Sequence, residues 1–471
     1  MKRLVCFLGA IAAVSGLCEP KPLKAVWFDR TISPEVGTPV AGYGSHDVSV
    51  SKYDDLKLVG LGLRYGGETS LILTYDLLGL DAETIRRIRR ACAQELKIGE
   101  ERVLLNCTHT HGGPHARKYV GSTVFGRKPD PYARPDSIDA PYVERLVKES
   151  LAAVSELKDD ARWRDCLVGF GSTTCDVNRN RRFTTPDNCA SFIAHRRALH
   201  GIATGIADKE LGTVVLLEPG TMMPLFVLGN YAAHPLAIHS PGNGGLRITA
   251  DFPGFYRRYV ANETGGAAMF MQGACGDLVP TDDELGIAAA RKVGEELGMR
   301  SLASVIDIQR NTQRFVIAEP RLSAAIRTLT VPLRGNWRRV LGRESETLEV
   351  QCLSVGDIAF VGVPGEIVNE VGLEIKWHSP FKRTFIAYGA TDYFGYISPP
   401  NFIAAGGYEA QSQHFASREV LSLVKTASDA LFEMRERTFP EDGDKTDAYP
   451  DNLNLPLVNL PGGVKESKWQ R

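Results

Sequence analysis

The sequence predicts an α/β fold, with a mixed, mostly parallel sheet, flanking helices and a β-rich C-terminal part in a single large domain. Three observations carry this. Short β-prone apolar runs alternate with segments of helical period through the first two thirds of the chain. From about Ile306 the pattern turns β-rich before helices return. No linker or repeat divides the chain, although 471 residues would allow more than one domain. The expected boundaries are a leader over 1–18, the main domain over 19–438 and a loosely ordered tail over 439–471.

Along the chain, Met1-Lys2-Arg3 is a positive start to an apolar stretch, Leu4 to Leu17. Gly16 and Cys18 are the small residues expected around a cut before Glu19, so an export signal and a periplasmic or secreted mature chain are expected. Lipid anchoring through Cys18 is the minority alternative. No later run is apolar for long enough to span a bilayer. Leu56–Arg64 and Ser70–Leu77 read as strands, and Asp81–Leu96 as a helix with Asp81 at its N-cap. Val103–Thr108 is a strand leading into Gly112–Asp139, whose Pro, Gly and Asp content predicts a long surface loop. Tyr142–Leu157 reads as helix and Cys166–Thr173 as strand. Further strands are expected at Gly212–Leu217, Leu225–Ala232 and Ala268–Met271, with helices near Gly254–Val260 and Glu284–Leu297. The β-rich part comprises Phe315–Ala318, Ala324–Pro332, Thr347–Leu353 and Ile358–Val363, followed by helices at Ile367–His378 and Ser417–Arg437.

Composition narrows the function classes. The net charge is −1, with 55 Lys and Arg against 56 Asp and Glu, and no basic stripe suits a nucleic acid or an anionic membrane surface. Of 9 cysteines, those beyond the leader are Cys92, Cys107, Cys166, Cys175, Cys189, Cys275 and Cys352. They form no CxxC pair, so buried thiols with one or two bridges are expected rather than a cysteine metal site.

Chemistry concentrates in a few places. Cys107-Thr108-His109-Thr110-His111-Gly112-Gly113-Pro114 puts two histidines at a strand end, where a two-residue spacing turns both to one side of the pleat. Neutral imidazole is a common zinc ligand. Asn230-Tyr231-Ala232-Ala233-His234-Pro235 ends another apolar strand on a histidine. Val363-Pro364-Gly365-Glu366 puts a carboxylate after a third β-run, where Glu366 alone would read as a first-turn helix residue.

Together with Gly276–Pro280 (GDLVP), Asp392–Phe415 (DYFGYI…GGYEAQSQHF) and the opening Thr38–Gly44 and Asp76–Gly79, these motifs resemble the catalytic domain of neutral (non-lysosomal) ceramidases, in the same order from about Leu23 to Glu436. The resemblance is to a divergent, bacterial-type member, in which the immunoglobulin-like C-terminal domain of true ceramidases is expected to be missing. It implies Zn2+ held by His109, His234, Glu366 and Tyr396. Tyr408 and His111 would face the substrate, and Arg179 would share their role, with Arg181 and Arg182 as alternatives in the same basic run. Tyr393 is an alternative to Tyr396, although the spacing to Tyr408 favours the latter. Asp277 and Asp251 are candidates for orienting a ligand histidine or for capping a turn. His115 and His239 read as loop residues. One departure stands out: Val279 occupies the position of a family serine, so no side-chain nucleophile is available there.

The implied activity is zinc-dependent hydrolysis of an amide in a ceramide-like N-acyl lipid. The alternatives are a metal-dependent esterase or amidase acting on a non-lipid substrate such as an acylated sugar, and a non-catalytic metal-containing binding protein. The expected partner is a small-molecule or lipid acyl substrate, with no nucleic acid.

Overall fold

The computed structural model describes residues 20–42, 48–117, 139–184, 190–192, 205–238, 245–281 and 285–440. The leader expected over 1–18, Cys189, His239 and most of the expected tail lie outside them. The elements that frame the site begin with β1 (Leu23–Thr31), β2 (Lys57–Tyr65), β3 (Glu68–Tyr75), α1 (Ala82–Leu96), β4 (Val103–Cys107), α2 (Ala140–Ser155) and β5 (Arg164–Thr174). Next come β6 (Asn178–Asn180), β7 (Glu210–Leu217), β8 (Pro224–Tyr231), α3 (Asp251–Thr264), β9 (Ala267–Gln272), β10 (Leu278–Pro280) and α4 (Ile287–Arg310). The C-terminal part adds β11 (Leu322–Pro332), β12 (Ser345–Val355), β13 (Ile358–Gly362), β14 (Glu366–Ile367), α5 (Asn369–Trp377), β15 (Arg383–Ala387), β16 (Tyr396–Ile397) and α6 (Glu419–Thr438).

Eight strands form one sheet in the order β9-β8-β7-β5-β1-β2-β3-β4, and β11-β12-β13-β15 form a second. Alternate side chains of each strand face opposite layers, as the pleat dictates. Leu58, Leu71, Leu73 and Tyr75 pack with Ile85, Ile88 and Leu146 of α1 and α2. Their neighbours Leu61, Leu63 and Ile72 pack with Leu353, Ile358 and Phe360 of the second sheet. Val215 and Phe270 turn to Phe252 and Val293 of α3 and α4. On the far side, Val350, Ala359 and Val361 meet Val371 of α5 and Leu423 and Leu431 of α6. The architecture is therefore helix, sheet, sheet, helix.

These layers bear out an α/β domain with a mixed sheet, flanking helices and a β-rich C-terminal part. The expectation of mostly parallel strands is corrected. In the large sheet only β8–β9 and β3–β4 run parallel, and the other neighbours are antiparallel. Runs such as Leu58–Leu63 are apolar on both faces, which suggests a parallel strand between helices. Here the second face is covered by another sheet, so antiparallel strands carry the same unbroken apolar pattern.

Two local expectations also change. Phe315–Ala318 is not a strand: Thr312–Phe315 forms a helical turn and Val316 only a bridge to Gly169. The expected surface loop after His111 starts buried, because Gly112, Gly113 and Pro114 pack inward, while residues 118–138 lie outside the described set. Asp81 does cap α1, accepting from the Thr84 amide at 2.8 Å. The described cysteines are buried and unbridged.

Buried amides join the carboxyl ends of strands from both sheets. Asn106 Nδ2 donates to Tyr388 O at 2.9 Å, and Tyr388 N donates to Gln272 O at 3.0 Å. Asn230 Nδ2 donates to Met271 O at 3.1 Å and to Ile386 O at 2.9 Å. The edge strands β4 and β9 thereby both meet the end of β15. Each such bond adds about 1 kcal/mol net, but losing one partner strands a buried polar group at greater cost. His109 and His111 follow the end of β4, and His234 follows the end of β8.

Candidate metal centre

His109 is placed by a turn and not by the pleat, because β4 stops at Cys107. Thr108 N donates to Tyr75 O at 2.8 Å and His109 N to Leu77 O at 2.9 Å. These bonds hold His109 at φ 65°, a left-handed conformation that non-glycine residues rarely adopt. Its ring Nδ1 lies 3.0 Å from Leu78 O and 2.6 Å from Tyr388 Oη. Tyr388 Oη also donates to Leu78 O at 3.2 Å. Acceptance by these oxygens assigns the proton to Nδ1 and leaves the Nε2 lone pair facing inward. Nε2 has no hydrogen-bond partner among the described residues. Burial pushes the His109 pKa well below the ordinary imidazole range, against the pull of Glu366, so the ring is neutral.

His234 follows β8 and repeats the arrangement. Its Nδ1 faces Cys275 O at 2.7 Å and Leu278 O at 3.0 Å, while its backbone N donates to Leu278 O at 3.0 Å. Glu366 opens β14 rather than a helix, since α5 begins three residues later. The carboxylate is 3 % exposed, and its Oε2 lies 3.5 Å from His109 Nε2 and 3.4 Å from His234 Nε2. Oε2 has no hydrogen-bond partner among the described residues either.

These three residues fit a metal ion. Donors in a tetrahedral zinc site at 2.0–2.1 Å are separated by about 3.3–3.4 Å, close to the two spacings from Glu366 Oε2. Both histidines also have Nδ1 committed to carbonyl oxygens, the outer support that metal-bound imidazoles use. Cys275 is a fourth candidate: its Sγ and a ring nitrogen of each of His109 and His234 lie within 4.8 Å of one another. Burial, with Glu366 adding to it, pushes this thiol well above its usual range. Glu366 offers a hard oxygen donor to both histidines and Cys275 a soft sulfur one. The sequence reading missed Cys275, whose only signal was its place at a strand end just before Gly276-Asp277.

The other predicted residues gather around this cluster. The His111 ring centroid is 5.0 Å from that of His109 and 5.8 Å from that of His234. It lies over Gly42, at φ 99°, where a β-carbon would sit 2.4 Å from Nδ1. Tyr396 pairs in register with Glu366 in the parallel β14–β16 ribbon, but its hydroxyl accepts from Arg181 Nη2 at 2.9 Å. The tyrosine that donates to Glu366, through Oε1, is Tyr393. Tyr408 stands edge-on to Tyr396 with centroids 5.3 Å apart.

Within the basic run, the three arginines divide. Arg179 is half-buried on β6, opposite Val279 of β10. Arg181 is buried, bonding Tyr396, Gly276 O at 2.7 Å and Glu409 at 2.9 Å, while Arg182 reaches Glu409 at 3.3 Å. Asp277 has no hydrogen bond to a histidine among the described residues. It accepts from Asn180 Nδ2 at 2.5 Å and Asn369 N at 2.7 Å, so it holds the turn whose carbonyls fix His234. Burial lifts its pKa to about 6. Asp251, the first residue of α3, accepts from Ile238 N and Phe252 N and so ties the preceding loop to the helix start. His115 is half-buried beside the expected loop.

Fold and site together define a two-sheet α/β protein with a buried imidazole and carboxylate cluster at its strand ends. No family model matches the chain, and no curated protein matches it. Its fold is similar to that of the neutral ceramidase from Pseudomonas aeruginosa, with a TM-score of 0.70 at 14% identity over 89% of this chain and 75% of that one. A ceramidase complexed with C2 matches at 0.69 and 14% identity, over 88% and 76%. At this identity the likeness is one of fold.

Proposed function

We propose that the chain is a zinc-dependent hydrolase that cleaves an N-acyl amide of a ceramide-like lipid. The convergence of His109 Nε2, His234 Nε2 and Glu366 Oε2, two of them buried without a hydrogen bond, is the observation that carries the proposal. Likeness in fold to ceramidases supports the choice of bond. A bound zinc supplies Lewis acidity, polarising a carbonyl and making water nucleophilic near neutral pH.

The chain's own residues supply the rest. His111, Arg179 and Tyr408 are the proposed donors to the carbonyl oxygen as negative charge builds on it, each worth roughly 3 kcal/mol in comparable sites. Tyr396, steadied by Arg181, lines the Glu366 side. Val279 offers neither a nucleophile nor a hydrogen bond, so water is the attacking species in this scheme. Loss of that hydroxyl also favours a second reading, hydrolysis of a non-lipid acyl substrate such as an acylated sugar.

Zinc-loaded protein assayed against N-acyl sphingosines and acetylated sugars separates the two. Release of fatty acid from the former, abolished by chelation and restored by zinc, is the expected result. Turnover confined to the sugars would move the substrate class. Bound zinc without turnover of any acyl substrate, unchanged in His111→Ala, would leave a binding protein. Export of the mature chain remains part of the proposal and is testable by fractionating cells expressing the full sequence.

A further inference from the structure

We propose that Tyr393 is the positioning residue that makes Glu366 a one-oxygen donor, and that Gly79 and Arg117 seat it. This deepens the metal proposal above and rests on it. Tyr393 Oη donates to Glu366 Oε1. The other carboxylate oxygen, Oε2, faces Nε2 of His109 at 3.5 Å and of His234 at 3.4 Å. The two oxygens therefore have separate tasks, one held by a phenol and one turned to the imidazoles. A carboxylate without such a restraint can rotate and offer both oxygens to a cation. Hydrogen bonds to ligating carboxylates commonly tune the ion in this way.

Tyr393 is only half-buried, so core packing alone does not set its rotamer. Three contacts do. A β-carbon at Gly79 would lie 2.3 Å from the ring, so only glycine leaves room there. The Arg117 guanidinium sits 3.6 Å from the ring centroid, a cation–π contact. Asp392 Oδ1 accepts from Tyr393 N at 2.7 Å and from Ala82 N at 2.9 Å, pinning the loop to the start of α1. Glycine at position 79 and tyrosine at 393, more than three hundred positions apart in sequence, thus form one device. Tyr396, the tyrosine that the sequence spacing favours, accepts from Arg181 through its hydroxyl.

The test is zinc affinity of the full chain, measured by competition with a chromophoric chelator, for wild type, Tyr393→Phe, Gly79→Ala and the double variant. Urea unfolding of each metal-free protein accompanies it. Tyr393→Phe is expected to weaken zinc by about 10- to 100-fold with little change in unfolding midpoint. The visible bands of the cobalt-substituted protein should shift as the carboxylate changes its mode of binding. Gly79→Ala should weaken zinc by displacing the ring, yet add nothing in the Tyr393→Phe background, where the hydroxyl is already gone. Unchanged affinity and cobalt bands in Tyr393→Phe would overturn the assignment while leaving the metal proposal standing. Additive losses in the double variant would remove Gly79 from it. A wild-type chain without zinc affinity would sink the metal proposal and Tyr393's role with it. If Gly79→Ala does not fold, Tyr393→Phe alone decides.

Discussion

The two sides of the candidate site are built differently. On the histidine side, backbone does the placing: carbonyls of Leu78, Cys275 and Leu278 hold the ring nitrogens, and His109 is kept left-handed by amide bonds to the preceding strand's end. On the carboxylate side, side chains reinforce a short backbone ribbon. Glu366 and Tyr396 sit on two-residue strands, secured by Tyr393, Arg181 and Glu409. Backbone-built geometry is local and tolerant of its surroundings. Side-chain-built geometry fails when a distant partner is lost.

Perturbing one side at a time sharpens this contrast. The largest effect is expected from His109→Ala. Outer partners of metal ligands are worth about 10- to 100-fold in affinity, so removal of the ligand should exceed that, with the fold intact by circular dichroism. Retained zinc affinity would show that the histidine side is not a ligand pair.

Arg181→Met comes next. The guanidinium is 4 % exposed and shares Glu409 with Arg182. Breaking a buried pair costs about 3–5 kcal/mol, and the remaining Arg182 should keep the loss near the lower end. Urea unfolding measures it, and Glu409→Gln in the same chain should recover part. A loss below about 0.5 kcal/mol, typical of a surface site, would mean that the carboxylate side does not depend on side-chain partners.

The smallest effect concerns pH. His414 packs against Trp337, with centroids 3.9 Å apart, behind the Tyr396 ribbon. Burial, with Arg117, Arg334 and Arg343 adding to it, pushes its pKa down to about 3. The unfolded value is near 6.5, so between these limits the unfolded chain binds more protons. Its stabilising contribution is complete above pH ~6.5 and is lost as pH falls through that window. From pH 7 to pH 5 the change is about 2 kcal/mol. His414→Phe should flatten the stability profile there by that amount, and an unaltered slope would mean the imidazole titrates normally.

The same contrast decides what the sequence could reveal. His109, His111 and His234 stand beside strand ends and turn residues, so composition and spacing already single them out. The alternation of strands and helices was legible for the same local reason. Strand direction and the second layer were not, because an unbroken apolar run such as Leu58–Leu63 looks alike under a helix or under another sheet. The contacts that set Tyr393 apart from Tyr396 and Arg181 apart from Arg179, and the approach of Cys275 to the histidines, are long-range, as in Arg181–Glu409 and Tyr393–Gly79. Single-sequence spacing carries no term for those.

The central claim is tested most directly by X-ray diffraction from zinc-soaked crystals, collected on both sides of the zinc absorption edge. One anomalous peak is expected, about 2.0–2.1 Å from His109 Nε2 and His234 Nε2, with Glu366 as the third donor. No peak there, with the three atoms bonded to each other or to water, would contradict the account.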